Sequence, residues 1–371
     1  PTPGRRLSSG VWSQLDIEGR AYLRFTPPVF SQERKKEKVE LGKALRVGKR
    51  YLRRRLGSPS PVFCNYFITT RCNLRCSYCP VRTPTGSPIF PFSASAEEVG
   101  TGEAKRMVGE VAELGVLWMS LSGGEPLLRP DLEEVAREGR EREMSMILDT
   151  NATLVTEGRV RGLARVFEVA VVSLQGMEEI NDAMRGRGVF RKTMRGIELL
   201  RREGVEVGVN FIITRHNYGE MEKVVEFLRE KVDSLVFNPV CHAEAFRPPE
   251  KEVEEVERVL LKLKRENPRF IYNSPTHLRA IGKYLRGEKV VECEPFDLHF
   301  SLMPGGELCG CFYPLPVGKL EGNGKELLER GRRMKKRLFR ECGGCANSSY
   351  FHVSHLFRAP PPALLLRRFS P

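Results

Sequence analysis

Six strand-like segments alternate with helix-like segments between residues 62 and 266, and this alternation constrains the fold more than any other feature. The predicted strands are Val62–Thr70, Val116–Leu121, Ser145–Asp149, Phe167–Leu174, Val205–Thr214 and Ser234–Asn238. Strands separated by helices pair in parallel through right-handed crossovers. Six units are too few to close an eight-stranded barrel. We therefore expect an α/β fold, either a partial (β/α)6 barrel of the TIM type or a doubly wound sheet, with the chemistry at the carboxyl ends of the strands.

The composition divides the chain into three predicted parts. Residues 1–57 form a basic extension, with eleven Lys and Arg residues against three Glu between residues 33 and 55. Residues 58–285 contain the alternating pattern and form the predicted barrel. Residues 286–371 are rich in Cys, Gly and Pro, which predicts a small domain that depends on a metal centre more than on a large core.

The basic extension contains an amphipathic stretch from residue 41 to residue 56. Its apolar residues follow helical spacing and can share one stripe: Leu41, Ala44, Leu45, Tyr51, Leu52 and Leu56. Two interpretations stay open. The stripe packs on the barrel while the charges face water, or the segment lies on an anionic membrane surface.

Charge and cysteine content limit the compartment and the partners. The formal net charge is +14, but no basic groove studded with aromatic residues is visible, which argues against nucleic acid as a partner. The chain lacks an apolar run of 18 residues and a secretory signal. Its ten cysteines are clustered, as in metal or redox sites of reducing compartments. We expect a cytoplasmic protein, either free or peripheral at the membrane.

The first cysteine cluster directly follows the first predicted strand. Cys72, Cys76 and Cys79 have the spacing Cys-x3-Cys-x2-Cys, and Tyr78 precedes the last cysteine. A structural zinc site needs four protein ligands, and no fourth ligand is local. Three thiolates can instead hold a [4Fe–4S] cluster and leave one iron open to a further ligand.

This loop resembles the signature of the radical S-adenosylmethionine (SAM) superfamily, and further motifs follow it in order. Gly123-Gly124-Glu125-Pro126 is similar to the motif that receives the SAM amino group. Residues 149–154 resemble the segment that contains Asn151, with Ala152 in place of the usual Gly. Ser173 begins a segment similar to Ser-x-Asp-Gly, and Arg185 stands where relatives place an Arg near the SAM carboxylate.

The resemblance implies a catalytic [4Fe–4S] cluster on Cys72, Cys76 and Cys79. It implies a SAM site formed by Tyr78, Gly123, Gly124, Glu125, Asn151, Ser173 and Arg185. In such enzymes an electron from the cluster cleaves SAM, and the resulting 5′-deoxyadenosyl radical abstracts hydrogen from an unactivated carbon. The electron comes from a donor such as ferredoxin or flavodoxin.

A second cysteine group follows residue 286. The segment from Cys293 to Cys309 resembles the start of a SPASM or twitch domain, which holds auxiliary clusters in many radical SAM enzymes. The expected ligands of one auxiliary [4Fe–4S] cluster are Cys293, Cys309, Cys342 and Cys345, with Cys311 either spare or replacing Cys309. A four-cysteine zinc site is the alternative. Cys64 and Cys241 are expected to be small buried apolar side chains.

The sequence thus predicts a radical SAM enzyme that acts on a large substrate, either a peptide or protein or a lipid-linked molecule. A non-catalytic zinc-binding or nucleic-acid-binding protein is the alternative from a different class.

Overall fold

Nine strands form one sheet in the computed structural model, which describes residues 45–79, 97–241, 243–311, 315–342 and 344–358. The strands are β1 (Phe63–Thr69), β2 (Trp118–Gly123), β3 (Ser145–Thr150), β4 (Val169–Ser173), β5 (Glu206–Ile213), β6 (Ser234–Pro239), β7 (His299–Leu302), β8 (Glu307–Cys309) and β9 (Pro316–Lys319). Their order is β6-β5-β4-β3-β2-β1-β7-β8-β9. Strands β1 to β6 and β7 pair in parallel, whereas β8 and β9 are antiparallel.

Helices connect the parallel strands as the alternation predicts. The helices are α1 (residues 45–55), α2 (Thr101–Glu113), α3 (Leu132–Glu141), α4 (Glu157–Val166), α5 (Glu178–Arg185), α6 (Val189–Arg202), α7 (Met221–Leu228), α8 (Val253–Glu266), α9 (Pro275–Leu285), α10 (Gly324–Glu341) and α11 (Ser348–Arg358). The predicted partial barrel with a cysteine-rich C-terminal region is confirmed. The predicted boundaries at residues 57 and 285 stay predictions, and the extension is described only from residue 45.

Alternate residues of the strands pack into two different apolar clusters. On β1, Cys64, Tyr66 and Ile68 belong to the large cluster that contains the residues of the connecting helices. Phe63 points the other way, into a smaller cluster with Trp118. The period of two along a strand explains this division, since successive side chains face opposite sides of the sheet.

Helix α1 packs on this smaller cluster, but Tyr51 is the one member of the predicted stripe, among its described residues, that does so. Val47 and Tyr51 are buried there. Leu45, Leu52 and Leu56 are 67%, 61% and 83% exposed. The helix therefore has two apolar faces, and periodicity alone does not distinguish the docked face from the exposed one.

The C-terminal region has more apolar core than its composition predicts. β7 pairs with β1, so this region extends the barrel sheet directly. Phe296, Phe300 and Leu328 are buried in the same large cluster as the barrel helices. This region therefore shares the large core, and its expected dependence on a metal centre stays a prediction. No helix in the described ranges is both long and apolar enough to cross a membrane.

Candidate functional site

The three cysteines of the first cluster lie on the loop that follows β1. Cys72, Cys76 and Cys79 are half-buried. The backbone N–H of Leu74 donates to Sγ of Cys72 at 3.4 Å, and the N–H of Cys79 donates to the carbonyl of Cys76 at 3.2 Å. A short loop closed by such bonds can present three thiolates to one iron–sulfur cluster. The donor set thus fits the expected group.

Hydrogen bonds tie this cysteine loop to two other loops. The Asn151 side chain donates to Oδ1 of Asn73 at 2.8 Å, and Asn73 donates to Oγ1 of Thr153 at 2.9 Å. On the other side, the N–H of Ser77 donates to the carbonyl of Met184 at 2.9 Å. The loops after β1, after β3 and at the end of α5 are therefore held together.

Two glycines let the end of β2 approach the cysteine loop. Gly123 has a φ of 131°, and a Cβ there would lie 2.1 Å from the carbonyl oxygen of Thr69. A Cβ on Gly124 would lie 2.1 Å from the carbonyl oxygen of Arg71. Only glycine avoids these clashes, and the N–H of Gly124 donates to the Thr69 carbonyl at 2.8 Å.

Glu125 is buried and links two backbone segments through three hydrogen bonds. Its carboxylate accepts from Oγ1 of Thr150 at 2.7 Å, from the N–H of Asn151 at 2.7 Å and from the N–H of Leu127 at 3.0 Å. Burial raises the pKa of Glu125, while these donors and Arg185 act in the opposite direction. The carboxylate is satisfied within the protein and fixes the loop after β3 against the end of β2.

Ala152 retains the turn expected from a glycine at this position. Its φ is 58°, in the left-handed region, and its N–H donates to Oγ1 of Thr150 at 2.9 Å. A Cβ on Gly196 of α6 would lie 2.2 Å from the Ala152 carbonyl oxygen. The turn is thus compatible with alanine, at a backbone cost of about 1 kcal/mol.

Arg185, at the end of α5, is buried and donates from Nη1 to the carbonyl of Ser173, the last residue of β4. Its Nε is also buried and has no hydrogen-bond partner within the described residues. A buried guanidinium donor without an acceptor is costly unless a ligand supplies one. A carboxylate is an acceptor that suits a guanidinium donor.

Tyr78 and Gln175 pack beside this guanidinium. Tyr78 is buried, and burial raises the pKa of its hydroxyl, while nearby Arg185 and a hydrogen bond with Gln175 lower it. Gln175 stands where an Asp is usual, and its Oε1 accepts from the N–H of Ile212 at 2.7 Å. Gln175 therefore joins the end of β4 to β5.

The inner face of the sheet is polar near the carboxyl ends of the strands. Ser120 donates to Oδ2 of Asp149 at 2.6 Å, and Ser122 donates to Oδ1 of Asn65 at 2.7 Å. Burial raises the pKa of Asp149 to about 6, although the hydrogen bond from Ser120 acts to lower it. Asp149 is thus an ionisable group inside the barrel with an unusually high pKa.

This polar face continues across the other strands. Asn238 donates to Oδ1 of Asn210 at 2.9 Å and to Oγ of Ser348 at 3.0 Å. The hydroxyls of Ser301 and Tyr350 lie 2.9 Å apart. The motifs in the sequence do not identify these residues. A signal for those on the strands is nevertheless present, because each occupies an inward position of an otherwise apolar segment.

The second cysteine group comes together in part. Burial raises the pKa of Cys293, and the neighbouring Cys345 and Cys342 add to the effect. A hydrogen bond from Cys241 lowers the pKa of Cys345. Cys241, which follows β6 and was expected to be a simple apolar side chain, therefore lies beside this group.

Cys309 and Cys311 differ in their surroundings. Cys309 is buried in β8, where burial raises the pKa of its thiol to about 12, and its charged neighbour is Glu307. Cys311 is half-buried, and its charge adds to the effect of burial in raising the pKa of the Tyr350 hydroxyl. It packs against the same apolar cluster as Cys293 and Cys345. Within the described residues, no three His, Cys, Asp or Glu side chains are placed to hold a single metal ion.

Comparison with known proteins agrees with this geometry. Residues 66–228 match the family model of the radical SAM superfamily. The chain contains a radical SAM domain. This domain is 32% identical over 179 residues to Fe-coproporphyrin III synthase of Methanosarcina barkeri, a match that covers 47% of this chain and 43% of that protein. PqqA peptide cyclase of Ruegeria pomeroyi is 32% identical over 175 residues, which cover 46% of this chain and 45% of the cyclase.

A solved structure supports the fold beyond this domain. Streptococcus suis SuiB bound to S-adenosylmethionine superposes with a TM-score of 0.59 at 16% identity, over 82% of this chain and 76% of SuiB. At this identity the likeness shows the fold alone. The chain spans less than half the length of the two relatives named above. The family match confirms the predicted radical SAM domain, and the two relatives that share it are named as enzymes.

Asp149→Asn should stabilise the protein at neutral pH. The pKa of Asp149 is near 6 in the folded protein and about 3.9 when unfolded, so stability is lost as pH rises through this interval. We expect the variant to be about 1–2 kcal/mol more stable at pH 7, after allowing for water inside the barrel, with the advantage shrinking from pH 6 to pH 4. Anaerobic urea unfolding of the variant and the unchanged protein at pH 7 and at pH 4 measures this difference in stability.

Asp131→Asn is the matched control. Arg129 bonds Asp131 at 2.6 Å and lowers the pKa of that carboxyl, so removing its charge should destabilise the protein at pH 7. A lower stability of Asp149→Asn at pH 7 would contradict the burial penalty at Asp149.

Proposed function

We propose that this chain binds a [4Fe–4S] cluster on Cys72, Cys76 and Cys79 and uses it in the reductive cleavage of SAM. When bound, the cluster supplies the electron that splits SAM into methionine and a 5′-deoxyadenosyl radical, which abstracts hydrogen from the substrate. Tyr78, Gly123, Gly124, Glu125, Asn151, Ser173 and Arg185 form the proposed SAM site.

One observation carries this proposal: the buried Nε of Arg185 lacks a partner in the described structure, at the place where the cysteine loop and the ends of β2, β3 and β4 meet. Arg185 would pair with the SAM carboxylate. Glu125 is already engaged by three protein donors, so we assign it mainly to holding the loops. The backbone after Gly123 would then meet the SAM amino group.

For the auxiliary cluster, we propose Cys293, Cys311, Cys342 and Cys345 as the ligands. The contacts of Cys311 support it over Cys309, because Cys311 shares an apolar surface with Cys293 and Cys345. Cys309 faces Glu307, whose negative charge would oppose a thiolate. The Cys241 thiol would donate a hydrogen bond to the sulfur of Cys345, a proposed ligand. Such a bond would influence the reduction potential of the cluster.

The proposed substrate is a large molecule that reaches the polar inner face around Asp149, Asn210 and Asn238. The names of the relatives divide between a porphyrin synthase and a peptide cyclase. We favour a peptide, because backbone amides match the alternating donors and acceptors of this face. Transfer of deuterium from labelled peptide or labelled coproporphyrin into 5′-deoxyadenosine separates the two.

The exposed face of α1 favours a second candidate, a lipid-linked substrate met at an anionic membrane. Leu45, Leu52 and Leu56 are exposed and share one side of the helix with Lys49. Apolar side chains between cations can enter the headgroup region of a bilayer.

Cys76→Ala should abolish 5′-deoxyadenosine formation from SAM and dithionite, because two thiolates do not hold the cluster. The unchanged protein should contain roughly eight irons after anaerobic reconstitution, and the variant roughly four. Iron analysis and chromatography of the nucleoside products measure both effects. A colourless protein with stoichiometric zinc, or full product formation by the variant, would refute the proposed function.

Cys311→Ala and Cys309→Ala form a matched pair that tests the auxiliary site. Cys311→Ala should lower the iron content by about four per chain, whereas Cys309→Ala should keep it. Both variants remove one thiol, so general oxidation damage affects them equally. Loss of iron in Cys309→Ala but not in Cys311→Ala would instead identify Cys309 as the ligand.

Leu52→Glu should weaken binding to vesicles of anionic lipid by about tenfold or more, because it places a charge among the exposed leucines. Co-sedimentation at low salt measures binding, with neutral vesicles as the reference. Leu261→Glu, at a partly buried position on α8, is a control for lost folding. Absence of binding by the unchanged protein would remove the membrane candidate.

A further inference from the structure

Two arginines lie in the loops that follow β5 and β6, on strands distant from the cysteine loop. Arg215 belongs to the loop after β5 and Arg247 to the loop after β6, and we call them the arginine pair. The N–H of Arg215 donates to the carbonyl of Phe246 at 2.7 Å, and its Nη1 donates to the carbonyl of Ala245 at 3.2 Å. These bonds hold the two loops together. Arg215 is exposed, and no carboxylate in the described ranges forms an ion pair with it.

Arg247 is a partly buried cation whose charge is poorly compensated by the protein. Its guanidinium lies over the ring of Tyr284, with Cζ 4.8 Å from the ring centroid, and this contact orients the group. Its Nε is buried and has no hydrogen-bond partner among the described residues. Glu244 approaches Nη2 only to 3.7 Å, and the side chain of Glu244 is 84% exposed. Such a long, solvated contact contributes little, so an outside anion can replace it.

Hydrogen bonds connect the loop that carries Arg215 to the neighbourhood of the proposed SAM site. The Asn217 side chain donates to the carbonyl of Gln175 at 2.9 Å, and its Oδ1 accepts from the N–H of Thr214 at 2.7 Å. Gln175 in turn hydrogen-bonds with Tyr78, a member of the proposed SAM site. A group bound by the arginine pair would therefore lie at the same edge of the barrel as SAM, where parallel β/α barrels have their active sites.

We propose that the arginine pair binds a carboxylate of the substrate and thereby orients the substrate over the carboxyl ends of the strands. This inference rests on the proposed function and gives the chemical class of its substrate, a molecule that bears a carboxylate. A guanidinium suits this group because its N–H donors can form two parallel hydrogen bonds with the two carboxylate oxygens. Arg215, in the adjoining loop, adds to the positive potential. The carboxylate can belong to an acidic peptide or to a tetrapyrrole, and the test distinguishes these two sources.

The test measures how tightly the reconstituted full chain binds carboxylate probes and matched neutral probes. The peptide probes are an acetylated, amidated hexapeptide of alternating Glu and Ala and the same peptide with Gln in place of Glu. The tetrapyrrole probes are coproporphyrin III and its tetraamide. Saturating SAM occupies the proposed site at Arg185, so the probes do not bind there. Anaerobic titration calorimetry gives the Kd of the peptides, and fluorescence titration gives the Kd of the tetrapyrroles.

We expect the unchanged protein to bind at least one carboxylate probe about tenfold or more tightly than its neutral counterpart. Arg247→Gln should raise the Kd of that probe about tenfold or more, because it removes both the charge and the planar set of donors. Arg247→Lys keeps the charge but loses the planar group, so the Kd should rise only about threefold. Arg229→Gln is the matched control: it removes one exposed charge at the far end of α7 and should change the Kd less than about twofold.

Three results would overturn the carboxylate site: equal affinity for carboxylate and neutral probes, equal effects of Arg247→Gln and Arg229→Gln, or no binding of either carboxylate probe. A weaker affinity for SAM in Arg247→Gln would also overturn it and place Arg247 in the SAM site. The comparison of probes uses the unchanged protein, so it decides the question even if Arg247→Gln does not fold. Preference for the peptide or for the tetrapyrrole identifies the source of the carboxylate.

Failure of the proposed function is detected separately from failure of the carboxylate site. It is the absence of 5′-deoxyadenosine when the reconstituted protein is given SAM and dithionite, a measurement that contains no carboxylate probe.

Discussion

The buried carboxylate of Glu125 is the interaction on which the site depends most. Its three donors come from the residues after β2 and from the loop after β3. Asn151, held by one of these bonds, reaches Asn73 in the cysteine loop. A chain of hydrogen bonds thus runs from a residue with no solvent contact to the loop that carries the thiolates. In a low-dielectric interior such a network is stabilising only when every member is satisfied, so it specifies one arrangement of the three loops.

The inner side of the barrel has two layers with different tasks. Near the amino ends of the strands, Phe63 and Trp118 pack with Val47 of α1 and Val353 of α11 in an apolar floor. Toward the carboxyl ends, the same face carries hydroxyl, amide and carboxylate groups. The apolar floor keeps water from entering at the amino ends of the strands. The polar layer supplies hydrogen-bonding groups at the carboxyl ends, where active sites of parallel β/α barrels lie.

The sequence was sufficient to predict the strands and the loop motifs, because both depend on local patterns of residues. Apolar runs with a period of two, followed by cysteine or glycine motifs, locate β1 to β6 and the residues at their carboxyl ends. Tertiary contacts decided what the sequence left open. Val47 and Tyr51 dock while the leucines of α1 stay exposed, because the shape of the floor selects between two apolar faces. The neighbours of Cys241 and Cys309 likewise depend on how β6 and β8 are placed in space.

The position of β1 has a consequence for how the protein is made. One side of this strand pairs with β2, but the other pairs with β7, and Phe63 is matched with His299. A ribosome must therefore synthesise more than two hundred further residues before that side of β1 finds its partner. During this interval the strand has an unpaired edge directly beside the cysteine loop, and such edges invite wrong pairing. Newly made chains would then need protection by chaperones until the C-terminal region emerges, and iron would be inserted most safely after that moment.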